Sequence, residues 1–224
     1  MPIRGVFVDS KNLYLVSEYI ADTHRSLTNL GQALTETQIS VVAKQILQVL
    51  EYLHEKKVSM QNLHPNNVFV SNGNNGDILI TDVGFGQIKG QARPELSVHN
   101  DFLAPELSNP KQSNYDITSA ISEPTDQVMN FAYMNDPEAV DIWSLGIIVK
   151  FLATGNTSPI LKPMCQKGTP YSSELVDFLQ RTLCESPGRR MVASRLLKHP
   201  FITKRRDKIH DLDGSGDAAP VREV

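Results

Sequence analysis

Residues 138–153 constrain the fold of this chain more than any other stretch of its sequence. Their side chains are apolar on nearly every face of a helix, and such a helix has to be covered by protein on all sides. The longest apolar run within it, 145–153, is interrupted by Lys150 and has about half the length of a membrane span. We therefore predict a buried central helix that ends at Gly155, with the other elements packed around it.

The other periodic segments predict an α+β fold that is mainly helical. Apolar positions three and four apart predict an amphipathic helix over 35–56, and Thr35 and Gln38 form a capping-box pattern at its start. Two shorter helices are expected at 174–185 and 191–198. We expect a proline shortly after the second of them to end it.

Three segments rich in β-branched and aromatic residues predict strands. The segment 12–20 is typical of the second strand of a hairpin, and 67–71 and 76–81 form another hairpin through a turn of Asn and Gly. After these strands the sequence has no clean period. We expect a long loop over 82–107 and, because 108–136 is polar, a flexible insertion there.

The composition excludes several classes of protein. The chain of 224 residues has 22 Lys and Arg against 25 Asp and Glu, and this net charge of −3 gives no broad basic face for nucleic acid. Two cysteines are too few for a secreted disulfide framework, and no His/Cys cluster indicates zinc. We therefore expect an intracellular protein, cytoplasmic or nuclear, with no membrane span, no nucleic-acid partner and a disordered tail over 203–224.

Two neighbouring motifs carry the functional signal. Residues 60–67 read MQNLHPNN, and TDVG follows at 81–84, at the end of the second predicted hairpin. Together they resemble the catalytic loop (H-R-D-L-K-P-x-N) and the metal-binding loop (D-F-G) of the protein kinase family. Further resemblances follow in the family's order over roughly residues 12–202: the hinge strand at 13–20, A-P-E at 104–106, the central-helix motif DIWSLG at 141–146, and the closing helices from 187–190 to 199–201.

The resemblance implies the C-terminal lobe of a protein kinase together with its hinge strand. It divides the chain into a residual strand pair and hinge over 1–20, the large lobe over 21–202, and the tail. The motifs of the family's small lobe are absent, because the chain has no G-x-G-x-x-G and only 17 residues precede Glu18. We therefore expect an N-terminally truncated lobe.

The resemblance also assigns the reactive positions. Asn62 stands where the family has its catalytic Asp, and His64 where it has a phosphate-contacting Lys. A neutral amide can orient a hydroxyl but cannot accept its proton, so we expect Asn62 to satisfy backbone groups of its loop. Asp82 and Asn67 match the family's two magnesium ligands, and two roles stay open for them: holding Mg²⁺ or capping backbone amides.

The hinge and the floor of the nucleotide pocket are assigned in the same way. Glu18, Tyr19 and Ile20 match the hinge residues that contact adenine through their backbone. Phe69 stands where the family usually has a smaller aliphatic residue, so the pocket floor should be narrower.

Four further residues match structural positions of the family. Glu106 and Arg190 correspond to a buried ion pair that ties the activation segment to the last helices. Asp141 is expected to accept hydrogen bonds from amides of the catalytic loop, and Trp143 to lie in the buried central helix.

The altered catalytic positions favour a pseudokinase, a catalytically impaired kinase-like domain that acts as a protein-binding or allosteric scaffold. We expect it to bind ATP and Mg²⁺ weakly or not at all. The alternatives are a divergent ATP-dependent Ser/Thr kinase whose small lobe is missing from this chain, and an α+β fold without kinase ancestry. We expect apolar surface around Leu13, Leu15 and Ile20 to contact a protein: another kinase, a donor of the small lobe, or a second copy.

Overall fold

The structure is a computed structural model that describes residues 3–10, 13–20, 24–30, 34–60, 62–71, 76–81, 102, 104–108, 136–166 and 168–204. Its strands are β1 (Ile3–Val8), β2 (Leu13–Ser17), β3 (His24–Ser26), β4 (Val68–Ser71) and β5 (Ile78–Ile80). Its helices are α1 (Glu36–Glu55), α2 (Pro105–Ser108), α3 (Pro137–Thr154), α4 (Ser173–Thr182), α5 (Ala193–Leu196) and α6 (Pro200–Thr203). Short 3-10 helices lie at Leu27–Asn29, Pro65–Asn67, Lys162–Cys165 and Pro187–Arg189. The predicted α+β, mainly helical fold is confirmed.

The helix α3 is the buried central helix that the sequence predicts. Asp136 caps its first turn by accepting a hydrogen bond from the N–H of Ala139 at 3.0 Å. Gly155 ends it in the left-handed conformation, with φ +70°. Its side chains are buried on every face along nearly the whole length, and α1 and α4 pack against it. The domain is therefore assembled around this helix.

The amphipathic helix α1 also begins as predicted. The N–H of Gln38 donates to Thr35 Oγ1 at 3.3 Å, and the N–H of Thr35 donates to Gln38 Oε1 at 2.9 Å. The capping box of the sequence is thus present in the structure. The helix buries Ile39, Ile46 and Leu50 in the core that it shares with α3.

The strands form two antiparallel sheets. β1 and β2 pair as a hairpin, and β3, β4 and β5 form a second sheet in that order. Both predicted hairpins are confirmed. The sequence analysis missed β3, because its three residues His-Arg-Ser have little strand character of their own and pair only once β4 is beside them.

The β1–β2 hairpin exposes apolar side chains to an unusual degree. Phe7 is 62% exposed and Val8 75% exposed, and the side chains of Val6, Tyr14 and Val16 are exposed as well. The side chains of Leu13 and Leu15, which we expected at this surface, lie outside the part that the structure describes. An isolated two-stranded hairpin has marginal stability in water.

The C-terminal elements differ from the prediction. The sequence predicted one helix over 191–198, whereas the structure has α5 and then α6, which begins at Pro200. Proline at the first position of a helix lacks only an N–H that would be unpaired anyway, and His199 Nδ1 caps α6 by accepting from the N–H of Phe201 at 3.2 Å. The fold therefore extends to Thr203, one residue into the predicted tail.

Several predicted segments lie outside the described residues. These are most of the loop over 82–107, the insertion 108–136 except for its two ends, and the tail from 205 onward. Within the loop, α2 forms a short helix that the sequence analysis missed, and it too begins with a proline. None of the helices described is long and apolar enough to cross a membrane.

A buried arginine, Arg190, joins three parts of the fold. Its side chain is 1% exposed, and its two Nη groups donate to the two carboxylate oxygens of Glu106 at 2.6 and 2.8 Å. Its other three N–H groups donate to backbone carbonyls, those of Ala139 (3.0 Å), Cys184 (2.8 Å) and Glu185 (3.2 Å). These contacts use all five donors of the guanidinium.

A contact with the segment after it marks the end of α4. The sequence predicted a helix to residue 185, but α4 ends at Thr182. The carbonyl of Arg181, which would accept from the N–H of Glu185 in a longer helix, accepts instead from the N–H of Met191 at 3.2 Å. The contact with Met191 therefore overrides the local helical pattern.

We expect Arg190→Ala to destabilise the domain by about 3–5 kcal/mol, because it leaves Glu106 and three carbonyls without their donor. Glu106→Ala should have an effect of the same order. The matched control is Arg181→Ala, which removes only an exposed ion pair with Asp177 on one face of α4 and should cost about 1 kcal/mol or less. Urea unfolding of the three variants measures the difference, and equal losses for Arg190 and Arg181 would contradict it.

Gly146 allows α3 to lie against the end of α4. A Cβ at this position would lie 2.5 Å from Thr182 Oγ1 and 2.7 Å from Leu183 Cδ2. We expect Gly146→Ala to lower stability by roughly 1–3 kcal/mol through overpacking. Gly188→Ala is the control, because a Cβ there meets nothing within 4 Å; similar melting temperatures for the two variants would rule out the steric explanation.

Candidate functional site

The loop 60–67 is attached to the central helix through Asp141. This carboxylate is fully buried, and its Oδ2 accepts hydrogen bonds from the N–H of Met60 at 2.8 Å and from Nε2 of His54 at 2.9 Å. The side chains of Met60 and Leu63 are buried in the core at the start of the loop. The loop is therefore held at one end by hydrogen bonds and by packing.

Asn67 holds the other end of the loop. Its side chain is buried, its Oδ1 accepts from the N–H of His64 at 3.0 Å, and its Nδ2 donates to the carbonyl of Asn62. The side-chain amide of Asn67 therefore links Asn62 to His64, the two residues that match the family's catalytic Asp and phosphate-contacting Lys. The oxygen and the nitrogen of this amide both form hydrogen bonds within the loop.

His64 is engaged in the same network. Its Nδ1 accepts a hydrogen bond from the N–H of Asn66 at 3.2 Å and caps the 3-10 helix Pro65–Asn67. A ring nitrogen that accepts carries no proton, so this contact favours the tautomer with its proton on Nε2. Asn66 in turn accepts from Thr28 Oγ1 at 2.7 Å, which ties the loop to the turn after β3.

No side chain of this loop carries a fixed charge. Asn62 is half-buried, and its amide cannot accept a proton from a hydroxyl. The loop sequence contains no acidic residue and no lysine or arginine. As it stands, the loop can orient polar groups by hydrogen bonding, but it has no carboxylate to accept a proton at position 62 and no fixed positive charge, and His64 is its one ionisable side chain.

A magnesium site in this loop would depend on the oxygen atoms that its residues offer as ligands. Mg²⁺ takes oxygen ligands in octahedral geometry, usually with one or two carboxylates. The described part of the loop offers the amide oxygen of Asn67, which already accepts a hydrogen bond, and Asp82 lies outside the described residues. Among the residues that are described, no cluster of three or more His, Cys, Asp or Glu could hold a metal ion. Of the two predicted ligands the structure describes Asn67, whose Oδ1 accepts one hydrogen bond and retains a second lone pair.

The three residues predicted to form the hinge, Glu18 to Ile20, follow β2. Glu18 is exposed and forms an ion pair with Arg4 on the neighbouring strand. Tyr19 is 83% exposed, and Ile20 is half-buried. Phe69 is half-buried in β4, opposite Leu79 of β5.

The central helix connects the loop to the ion pair of Arg190. Asp141 faces the loop, and Trp143, two residues further along α3, has its ring 4.9 Å from the guanidinium carbon of Arg190. The structure thus brings Asn62, His64 and Asn67 together in one hydrogen-bond network, with Asp141 bonded to the start of the same loop. Glu106, Trp143 and Arg190 lie together at a second place.

Sequence reasoning missed His54, the buried partner of Asp141. A signal for it exists, because Leu47, Leu50 and His54 follow one another at helical spacing on the buried face of α1. A histidine on such a face requires a partner when it is buried. The identity of the partner could not be read from the sequence, because it lies 87 residues away.

The sequence matches a family of known proteins. The family described as protein kinase domain matches residues 1–121, which is more than half of the chain. The serine/threonine-protein kinase max-2 of Caenorhabditis elegans is 28% identical over 219 residues, which are 90% of this chain and 30% of that protein. An Aurora kinase of Eremothecium gossypii is 26% identical over 216 residues, 90% of this chain and 52% of that protein.

The fold matches a solved kinase structure as well. The crystal structure of Rad53 1–466 in complex with AMP-PNP aligns with a TM-score of 0.62 and 22% sequence identity, over 90% of this chain and 50% of that one. The chain thus spans about a third to a half of the lengths of these proteins. The family match, the two relatives and the fold agree with one another, and the chain belongs to the protein kinase domain family.

Proposed function

We propose that this kinase domain is a pseudokinase, which binds protein partners and does not transfer phosphoryl groups. The observation that carries the proposal is the loop 60–67, where Asn67 and His64 are hydrogen-bonded to the loop itself. The catalytic position in that loop is an asparagine.

The chemical argument concerns charge and proton transfer. Phosphoryl transfer depends on positioning and on electrostatic stabilisation of the transferring group, with a carboxylate that accepts the proton of the attacking hydroxyl. Asn62 supplies no base, Gln61 replaces the family's arginine, and the neutral His64 replaces its lysine. A loop altered at all three positions should be inactive, since the loss of a general base alone costs roughly 10²- to 10⁴-fold in rate.

We propose that ATP and Mg²⁺ bind weakly or not at all. Asn67 Oδ1 already accepts the N–H of His64, which leaves it one lone pair for Mg²⁺ and holds its side chain in the orientation that the loop requires. A divergent ATP-dependent Ser/Thr kinase is the second candidate, and the likeness to Rad53, which was solved with AMP-PNP, favours it.

The β1–β2 hairpin supports a binding role. Its exposed Val6, Phe7, Val8, Tyr14 and Val16 form more apolar surface than scattered single residues would. We propose that a protein partner covers this hairpin. The segment 1–20 would then carry the partner surface and the hinge, and 21–202 would be the scaffold.

The test restores the missing carboxylate with Asn62→Asp. Transfer of the γ-phosphoryl group of ATP to a generic Ser/Thr substrate and to the chain itself is measured in the presence of Mg²⁺. We expect no transfer above background for the wild type or for the variant, because the positive groups are also missing. If the second candidate is correct, the variant should gain roughly 10²- to 10⁴-fold in rate.

The control is Asn66→Asp, which makes the same change of charge four residues away in the same loop. Thermal unfolding of both variants shows whether the fold is kept. Transfer by the wild type, or a gain confined to Asn62→Asp, would contradict the pseudokinase proposal.

A further inference from the structure

The C-terminal part of the chain is strongly basic, although the net charge of the whole chain is slightly negative. Between Glu185 and Asp207 no residue is acidic, whereas seven are basic: Arg189, Arg190, Arg195, Lys198, Lys204, Arg205 and Arg206. The net charge is −3 for the whole chain and +7 for 186–206, which leaves −10 for the remainder. Such asymmetry indicates a surface that attracts anionic partners.

Every third residue along this segment is buried, and the residue before each of them is exposed. Positions 190, 193, 196 and 199 are buried, whereas 189, 192, 195 and 198 are exposed. The exposed positions hold Arg189, Val192, Arg195 and Lys198, which we name the basic row.

The buried positions fix the backbone of the basic row. Arg190 is held by Glu106, and Leu196 is fully buried in the core. His199 is buried and bonds through Nε2 to Asp177 at 2.8 Å. The backbone that carries the exposed side chains is therefore ordered before any partner arrives, which reduces the entropy lost on binding.

Acidic side chains of α4 near this segment are engaged by other residues. Glu174 accepts from Lys204 Nζ at 2.7 Å, and this hydrogen bond lowers the pKa of Glu174 to about 2. Asp177 accepts from Arg181 at 2.9 Å, which lowers its pKa, and also bonds to His199. In the part of the chain that the structure describes, no ion pair neutralises Arg189, Arg195 or Lys198.

We propose that the basic row is a docking surface for an acidic segment of a partner protein. Because the exposed side chains of the row are cationic, a segment rich in Asp and Glu is complementary to it in charge. Val192, which is 50% exposed and stands between Arg189 and Arg195 in the sequence, favours an apolar side chain between the acidic ones. A nucleic acid fits less well, because the row has no aromatic side chain on which a base could stack and the remainder of the chain is acidic.

The experiment measures binding of a fluorescein-labelled peptide of alternating Glu and Leu to the whole chain by fluorescence anisotropy. The row variant is R189Q/R195Q/K198Q. The control variant R25Q/K56Q/K162Q removes three exposed charges elsewhere. We expect the row variant to bind roughly tenfold more weakly, as the loss of three solvent-screened charge pairs implies, and the control to bind like the wild type.

Two further measurements separate the alternatives. Val192→Ser should weaken binding of the peptide, and added salt should weaken it further because the charges are exposed. A single-stranded DNA of the same charge should bind less tightly than the peptide. Equal loss in the row and control variants, no binding of the peptide to the wild type, or tighter binding of the DNA would each overturn the proposal. Unchanged melting temperatures verify that the variants fold.

Discussion

The ion pair between Arg190 and Glu106 is the interaction on which the rest of the domain depends. The guanidinium is buried, and each of its five donors has an acceptor on α2, on α3 or in the segment after α4. A buried charge is tolerated only when it is paired and fully hydrogen-bonded. One side chain therefore ties α2 and α3 to the segment between α4 and α5.

Different residues of the central helix contact the loop and the buried ion pair. Asp141 binds the backbone of Met60 and the ring of His54, while Trp143 contacts Arg190 from the same helix. None of these contacts requires an acidic side chain at position 62. The fold therefore does not depend on an acidic side chain at position 62, and polar groups of the loop are satisfied through Asn67 and His64.

The sequence predicts what depends on local periodicity and fails where distant contacts decide. The central helix, the capping box at Thr35 and both hairpins follow from patterns within a few residues of each other. The end of α4 and the start of α6 do not, because the N–H of Met191 takes the carbonyl that would continue the first helix and His199 caps the second. The loop's residues could be named from the family resemblance, but the hydrogen bonds of Asn67 and the pairing of His54 with Asp141 required coordinates.

We propose that the loop 60–67 is closed on itself and stays closed in the presence of Mg²⁺ and ATP. The most direct test is an NMR titration of the ¹⁵N-labelled chain with Mg²⁺ and ATP, which follows the backbone N–H of His64 and the side-chain NH₂ of Asn67. We predict that both signals stay unchanged, because the amide of Asn67 keeps its bonds to His64 and Asn62. A saturable shift of both signals would show that Asn67 releases the loop for a metal–nucleotide complex, and it would contradict the claim.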